Sequence, residues 1–277
     1  MSIKTRPARA RGREACPAGR SSTRRHLFHR LAMRIGTAGW SIPRDSADSF
    51  PGDGQHLARY ARVLDCVEIN SSFYRSHGQQ TYARWASMTP PDFRFSVKLP
   101  RAITHDARMR DAHEPLRRFV DEVAALDDKL AVLLVQLPPS LAFDVAVAAP
   151  FFELLRQSFE GGVVCEPRHA SWFEADADAL LVEWHVSRAA VDPTKHEAAA
   201  QPGGWRGDAS SSLDYYRWHG SPRMYWSRYS VDWLRERNSE IDRSAAGARD
   251  AWCIFDNTSS GAAIVNALEL QSLRDGH

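Results

Sequence analysis

Residues 131–137 read AVLLVQL, an apolar run that ends in a glutamine and a leucine and is followed at once by Pro138. A continuous apolar run of this length is typical of a strand buried on both faces of a parallel sheet. Before it, apolar residues repeat at i, i+3 and i+4, at Leu116, Phe119, Val120, Val123, Leu126 and Leu130. That spacing predicts a helix with one buried face. A helix leading directly into a buried strand is the unit of a parallel α/β fold.

Seven further runs of the same kind lie along the chain. They are 33–40 (MRIGTAGW), 66–73 (CVEINSSF), 93–99 (FRFSVKL), 163–168 (VVCEPR), 187–192 (SRAAVD), 213–219 (LDYYRWH) and 251–257 (AWCIFDN). Most runs begin about 25–40 residues apart, a gap that a crossover helix fills and a tight hairpin does not. Eight strands alternating with helices predict a single α/β domain over residues 33–277, folded as a closed (β/α)₈ TIM barrel. An open doubly wound sheet is disfavoured because no glycine-rich phosphate loop follows the first run.

Helical spacing recurs in the other gaps. It is found at Leu57, Tyr60, Ala61 and Leu64, at Phe151, Leu154 and Leu155, at Leu180, Leu181 and Trp184, and over residues 263–270. The exception is residues 193–212, where glycine, proline and serine predict an irregular loop.

The basic charge of the chain is concentrated in residues 1–32, which hold nine Lys or Arg and one acid, Glu14. Without them the chain carries 27 basic and 33 acidic residues, so the body is mildly acidic. The segment has no apolar periodicity, and we expect a disordered extension. Met33 opens the first strand and is a possible alternative start. A basic tail can bind nucleic acid nonspecifically, whereas an acidic body disfavours a broad nucleic-acid surface.

No stretch approaches the roughly 20 apolar residues that span a bilayer, and no apolar signal-peptide core follows the basic start. The four cysteines, Cys16, Cys66, Cys165 and Cys253, form no metal-ligand spacing. Three of them lie in strand-like runs, which predicts buried free thiols in a cytoplasmic protein.

Polar residues end most of the predicted strands, where barrel enzymes place their chemistry. The candidate catalytic residues are Glu68, Lys98, Glu166 and His219. The candidate substrate-binding residues are Trp40, Asn70, Tyr74, His105, Gln136, Arg168, Trp172, Asp192, Arg217 and Asn257. Taken singly, each could be structural. Together, so many charges at one end of a fold predict a pocket, because an unpaired buried ion is costly.

These residues lie in seven motifs that together resemble one family. The motifs GTAGW, VEINSSFY, FRFSVKLPRAITH, LLVQLPP, CEPRHASW, YYRWHG and FDNTSSGAAIVNAL resemble, in order, those of the YecE-like family, also called domain of unknown function 72. The resemblance runs from about Met33 to Leu270. It implies a TIM barrel with polar residues clustered at the barrel mouth, and it supplies no reaction. The basic extension and the 193–212 loop depart from the pattern.

Three functions are compatible with these residues. The first is a hydrolase or isomerase acting on an anionic or hydroxylated small molecule. In it Arg168 and Arg217 clamp the anion, and Glu166, assisted by Glu68, serves as acid or base. Lys98 and His219 would then move protons or stabilise negative charge, and the aromatic residues would stack on a ring.

The second function is a metal-dependent phosphoesterase or isomerase. Glu68, Glu166, Asp192 and His219 could converge on a divalent ion, although the neighbouring cations disfavour it. No other cofactor is predicted. The third is a noncatalytic module that binds a ligand, or binds nucleic acid through the tail.

Overall fold

Strands and helices alternate through residues 33–206, 213–244 and 250–276, which are the residues that the computed structural model describes. Within these ranges the strands are β1 Met33–Thr37, β2 Cys66–Ile69, β3 Arg94–Lys98, β4 Leu130–Gln136, β5 Gly162–Glu166, β6 Val186–Arg188, β7 Ala190–Asp192, β8 Gly203–Gly204, β9 Leu213–Trp218 and β10 Asp250–Phe255. The predictions for residues 1–32, and for Cys16 among them, lie outside these ranges.

Seven α-helices connect the strands of the described ranges. They are α1 His56–Tyr60, α2 Gln79–Ser87, α3 His113–Val123, α4 Val145–Ser158, α5 Ala175–Glu183, α6 Val231–Ser244 and α7 Ala262–Asp275. Short 3₁₀ turns follow several strands, and one π-helical turn, Ala102–Asp106, follows β3. None of these helices is long and apolar enough to cross a bilayer.

The strands form two sheets rich in parallel pairs. One has the order β1-β10-β9-β7 and the other the order β2-β3-β4-β5-β6-β8. Among the described strands, every pair is parallel except β6 with β8. The parallel α/β class predicted from the sequence is therefore confirmed, although the second sheet is mixed and no single closed ladder joins the two in the described ranges.

The two sheets approach each other at two places. After β1, Ala38 forms an isolated parallel bridge with Glu68, and the Gly39 N–H donates to the Glu68 carbonyl at 2.9 Å. At the other side, the predicted sixth strand is divided at Ala189. Its first half, β6, pairs with β5 and its second half, β7, pairs with β9.

The described structure corrects several predicted boundaries. β2 ends at Ile69 rather than at residue 73, because a 3₁₀ turn begins at Ser71. β5 ends at Glu166, since Pro167 follows and has no N–H for the ladder. Helices α2 and α6 have no counterpart among the predicted elements. The described part of the 193–212 loop holds a 3₁₀ turn, Glu197–Ala200, and the two-residue strand β8.

Buried strand residues and the inner faces of the helices form the core. The α3 side chains Leu116, Phe119 and Val123 are buried, as their spacing predicts. Cys66, Cys165 and Cys253 are buried free thiols, also as predicted. This packing leaves the carboxyl ends of β2, β3, β5, β9 and β10 as the edge on which the polar side chains collect.

Candidate functional site

Arg217 is the centre of the polar residues at this carboxyl edge. It lies on β9, 0% exposed, and its guanidinium contacts carboxylates from three other elements. Nε and Nη2 donate to the two oxygens of Glu68 at 2.9 and 2.7 Å. Nη1 donates to Glu166 Oε2, and Nη2 also donates to Asp256 Oδ2 at 3.0 Å. We call these four residues, with His219 and Arg168, the Arg217 cluster.

Burial and ion pairing act in opposite directions on these groups. Burial by itself would lower the pKa of the Arg217 guanidinium, but Glu166 and Glu68 outweigh it and hold this pKa well above its usual value. Burial would likewise raise the pKa of the Glu166 carboxyl. The guanidinium groups of Arg217 and Arg168 instead hold it well below its usual range. The cluster is therefore a set of fixed charges that support one another.

His219 and Asp256 form a hydrogen-bonded pair within the cluster. His219 Nδ1 lies 3.0 Å from Asp256 Oδ2, and Nε2 lies 3.6 Å from Glu166 Oε1 without a hydrogen-bond partner in the described residues. Burial lowers the pKa of the imidazole, but Glu166 and Asp256 raise it above its ordinary value. An imidazole oriented by a carboxylate at one nitrogen is suited to move a proton at the other.

Arg168 connects the cluster to the outer surface. It follows β5, and its Nε lies 3.0 Å from Glu166 Oε1. Its Nη2 donates to the Tyr225 hydroxyl at 3.2 Å, and a quarter of its side chain is exposed. The Tyr225 ring meets the His219 ring edge-on, with the ring centroids 5.4 Å apart. A guanidinium held on one side and exposed on the other can accept an anion.

Lys98 and Gln136 are buried polar side chains beside the cluster. The Lys98 Nζ lies 4.1 Å from the centre of the Phe73 ring and makes no hydrogen bond or ion pair with the described residues. Burial, followed by the charge of Arg217, lowers the pKa of Lys98 to about 8. Gln136 is paired in register with Glu166, and its side-chain amide also has no hydrogen bond to the described part of the chain. Both can therefore bond to a ligand or water.

His105 and Asn70 lie at the border of this group. His105 packs edge-on against Phe73, and burial, followed by the charge of Lys98, lowers its pKa to about 4. The Asn70 amide donates to Asp256 Oδ1 at 3.4 Å, while its Oδ1 has no partner in the described structure. The structure therefore places both residues at the border of the group.

Three predicted ring-stacking residues occupy other positions. Trp172 is fully buried, donates to the Leu141 carbonyl at 3.0 Å and packs against Phe143, so the prediction that it contacts a ligand is corrected to a packing role. Tyr74 is 80% exposed and points away from the interior. Trp40 packs edge-on against Trp85 of α2, with the ring centroids 4.9 Å apart.

Asp192 and Asn257, two further predicted ligand-binding residues, each bond to a loop. The Tyr229 hydroxyl donates to Asp192 Oδ1 at 2.7 Å. The Asn257 amide donates to the Ser227 carbonyl at 2.9 Å. Both contacts anchor the segment between β9 and α6, which carries Tyr225 over His219.

Two residues of this site were absent from the predicted set. Asp256 directly follows β10 in the run CIFDN, so its position at a strand end was a usable signal. Tyr225 lies in an irregular segment with a φ of 64°, and no periodicity marks it. Its role depends on how the loop folds back over the carboxyl edge.

A separate cavity of about 360 Å³ lies at the amino edge of the strands. Three arginines line it, and each already bonds to nearby backbone. Arg34 donates to the Asp92 carbonyl at 3.1 Å, Arg94 to the Pro91 carbonyl at 2.8 Å, and Arg156 to the Gly161 carbonyl at 2.8 Å. The carboxyl edge has the richer chemistry, because it combines acids, bases and buried polar groups that lack partners among the described residues.

A fold with two parallel-rich sheets and a charged carboxyl edge is typical of α/β proteins that bind small molecules at strand ends. The chain belongs to the family described as protein of unknown function DUF72, which it matches over residues 34–276. The predicted family resemblance is confirmed.

Curated relatives and solved structures agree with this assignment. The UPF0759 protein YecE of Escherichia coli is 30% identical over 118 residues, which is 42% of this chain and 43% of that protein, so this match spans less than half of the relative. The UPF0759 protein YunF of Bacillus subtilis is 22% identical over 87% of this chain and 94% of its own. A DUF72 family structure from Thermotoga maritima has a TM-score of 0.71 at 23% identity, covering 88% of this chain and 99% of that one. One from Enterococcus faecalis has a TM-score of 0.70 at 21% identity, covering 88% and 95%.

Proposed function

We propose that this chain is an enzyme that binds an anionic or hydroxylated small molecule at its carboxyl edge and performs acid–base chemistry on it, as a hydrolase or isomerase. The two sheets would belong to one (β/α)₈ barrel with this edge as its mouth. The Ala38–Glu68 bridge and the continuity of β6 and β7 through Ala189 support that closure.

The single observation that carries the proposal is the pair of unpartnered side chains beside the Arg217 cluster. Lys98 and Gln136 are 8% and 6% exposed and have no hydrogen bonds to the described residues. The polar ends of both side chains reach solvent, so a ligand at this edge could bond to them without displacing a protein partner. Beside them, Asn70 Oδ1 and His219 Nε2 are buried without a partner in the described residues, and a buried polar group left unpaired costs free energy.

The geometry suggests how the roles are divided. Arg168, partly exposed, would bind the phosphate or carboxylate of the ligand. His219, oriented by Asp256, would transfer the proton. Glu166 is a weak base because two guanidinium groups stabilise its ionised form, so we assign it to holding Arg168 and His219 in place. Glu68 would orient the Arg217 guanidinium by accepting hydrogen bonds from its Nε and Nη2.

The test measures the binding of phosphate and of sugar phosphates at pH 7, by calorimetry and by thermal shift. Arg168→Met should weaken binding at least about tenfold, the worth of one charge-assisted contact of roughly 1.5 kcal/mol. Arg84→Met, on the exposed side of α2, is the matched control and should bind as the wild type does. Equal affinity for all three proteins would remove Arg168 from the site. Binding without turnover of any ligand would favour a noncatalytic module instead.

The metal-dependent alternative is less well supported by the geometry. Glu68 and Glu166 both bond to Arg217, and Asp192 accepts from Tyr229. In the described ranges, no three His, Cys, Asp or Glu side chains are grouped to hold a metal. Metal content of the wild type beside Glu166→Ala distinguishes the two ideas, since stoichiometric metal lost in the variant would favour the alternative.

We also propose a cytoplasmic location, which the buried free thiols Cys66, Cys165 and Cys253 support. Nucleic-acid binding through the basic segment concerns residues 1–32, outside the described ranges. Comparing binding by the full chain and by a chain starting at Met33 tests it.

A further inference from the structure

We propose that Lys98 is a nucleophile that forms an imine with an aldehyde or ketone group of the ligand. This inference rests on the proposed function, because it names the ligand class of the same site. The ligand would carry a carbonyl group for Lys98 and an anionic group for Arg168.

The position of the Lys98 amine is the first support. It ends β3 with a buried stem, and the Ser72 hydroxyl bonds to its carbonyl at 2.7 Å, which fixes the backbone. Phe73 covers one side of Nζ at 4.1 Å. No carboxylate of the described residues lies within ion-pair distance of Nζ, although Glu68, Glu166 and Asp256 are near enough to influence it.

Lys129 provides a comparison, because its amine has a structural role in this fold. Lys129 donates to the Ala86 carbonyl at 2.7 Å, the Thr89 carbonyl at 2.6 Å and the Thr89 hydroxyl at 3.0 Å. These three contacts use the donors of an ammonium group. The Lys98 amine has no such contact with the described residues, so it is available to react.

Loss of the ammonium proton is the second requirement, because only the neutral amine attacks a carbonyl carbon. Burial and Arg217 lower the pKa of Lys98 to about 8. About a tenth of the amine is then neutral at pH 7, against far less than a hundredth for an ordinary lysine.

The step is balanced without an oxidant or reductant. The Lys98 nitrogen forms a bond to the carbonyl carbon, and the carbon–oxygen double bond opens to a carbinolamine. The two amine hydrogens then leave with the former carbonyl oxygen as water, and a carbon–nitrogen double bond remains. We assign the relay of one of these protons to His219, which is paired with Asp256: its imidazolium would protonate the departing hydroxyl and regain a proton from the amine nitrogen, so its own protonation is unchanged after the step.

The lysine content of the chain makes the test simple. The chain has only four lysines, Lys4, Lys98, Lys129 and Lys195. The full-length protein is treated at pH 7 with glycolaldehyde and sodium cyanoborohydride, which reduces an imine to a stable amine. Peptide mapping by mass spectrometry then gives the labelling rate at each lysine.

We expect Lys98 to be labelled at least about tenfold faster than the exposed Lys195, as its larger neutral fraction requires. Lys98→Arg should abolish the fast phase, and Lys195→Arg should leave it unchanged. Labelling of Lys98 at or below the rate of Lys195 would overturn the inference.

A parallel reaction separates this inference from the proposed function. Glycolaldehyde phosphate should label Lys98 faster than glycolaldehyde does, and Arg168→Met should remove that preference. Fast labelling without a phosphate preference would retain the nucleophile and contradict the anion site. A phosphate-binding protein with an unreactive Lys98 would retain the anion site and contradict the nucleophile.

Discussion

Arg217 Nη2 lies 2.7 Å from Glu68 Oε1, and both side chains are completely buried although 149 positions separate them in the chain. This bidentate pair joins β9 to β2 in the interior, and Tyr215 donates to Glu68 from the same strand at 3.0 Å. A buried pair of this kind contributes little net stability, because desolvation offsets the attraction. Replacing only one partner of the pair, however, leaves the other partner as an uncompensated buried charge.

Arg217→Met should therefore lower the free energy of unfolding by about 3–5 kcal/mol, the usual cost of breaking a buried ion pair. Urea denaturation measures it. Arg117→Met removes surface ion pairs on α3 and should leave the free energy of unfolding nearly unchanged. Similar midpoints for the two variants would contradict a central role for Arg217.

Glu166→Gln should bind phosphate more tightly than the wild type, by about threefold to tenfold, because Arg168 loses the carboxylate that balances its charge. Arg168→Met changes phosphate affinity in the opposite direction. Calorimetry of both variants at one ionic strength measures the difference. Turnover of the natural substrate should nevertheless fall in Glu166→Gln, since Glu166 helps to keep the His219 imidazole protonated. Weaker phosphate binding in both variants would contradict the balancing role.

The protonation of His219 predicts a pH dependence of stability. Its folded pKa lies above its unfolded value, so the folded protein binds more protons between the two values. The free energy of unfolding should fall as the pH rises through that window, and the stabilisation should be complete below the unfolded pKa. His219→Gln should lack this part of the slope. Urea denaturation from pH 6 to 9 measures the free energy of unfolding of the wild type and of His219→Gln. If the two free energies change with pH in parallel, His219 does not titrate in this way.

Lys98→Met should stabilise the protein, because burial of the amine lowers its pKa from 10.5 to about 8. The expected gain at pH 7 is about 1–3 kcal/mol, given 1.4 kcal/mol for each tenfold change in proton affinity. In the wild type the unfolded state binds more protons than the folded state between about pH 8 and 10.5, so wild-type stability should rise with pH in this range. The difference in the free energy of unfolding between Lys98→Met and the wild type should therefore narrow.

Lys129→Met is the matched control for this prediction. It removes three hydrogen bonds to Ala86 and Thr89 and should destabilise the protein. Thermal unfolding at pH 7 and pH 10 measures both variants. A destabilised Lys98→Met at pH 7 would assign Lys98 to structural support of the carboxylates instead of to a ligand.

Much of this protein could be predicted from local pattern. The apolar runs, their spacing and the prolines after them indicate parallel strands that alternate with helices, because burial on both faces requires such runs. Residues two apart on a strand share a face, so strand alternation alone predicts that Arg217 and His219 lie together. The motif order also identified the family.

The tertiary structure decided which of these polar residues meet. Glu68 pairs with Arg217, and Asp256 joins both Arg217 and His219, because the ends of distant strands lie at one edge. Trp172 belongs to the core and Asp192 to the support of a loop, and neither outcome follows from strand position. Tyr225 reaches His219 through a loop without periodicity. Local sequence determines the face of a strand on which a side chain lies, whereas its partner across the fold depends on packing between segments far apart in the chain.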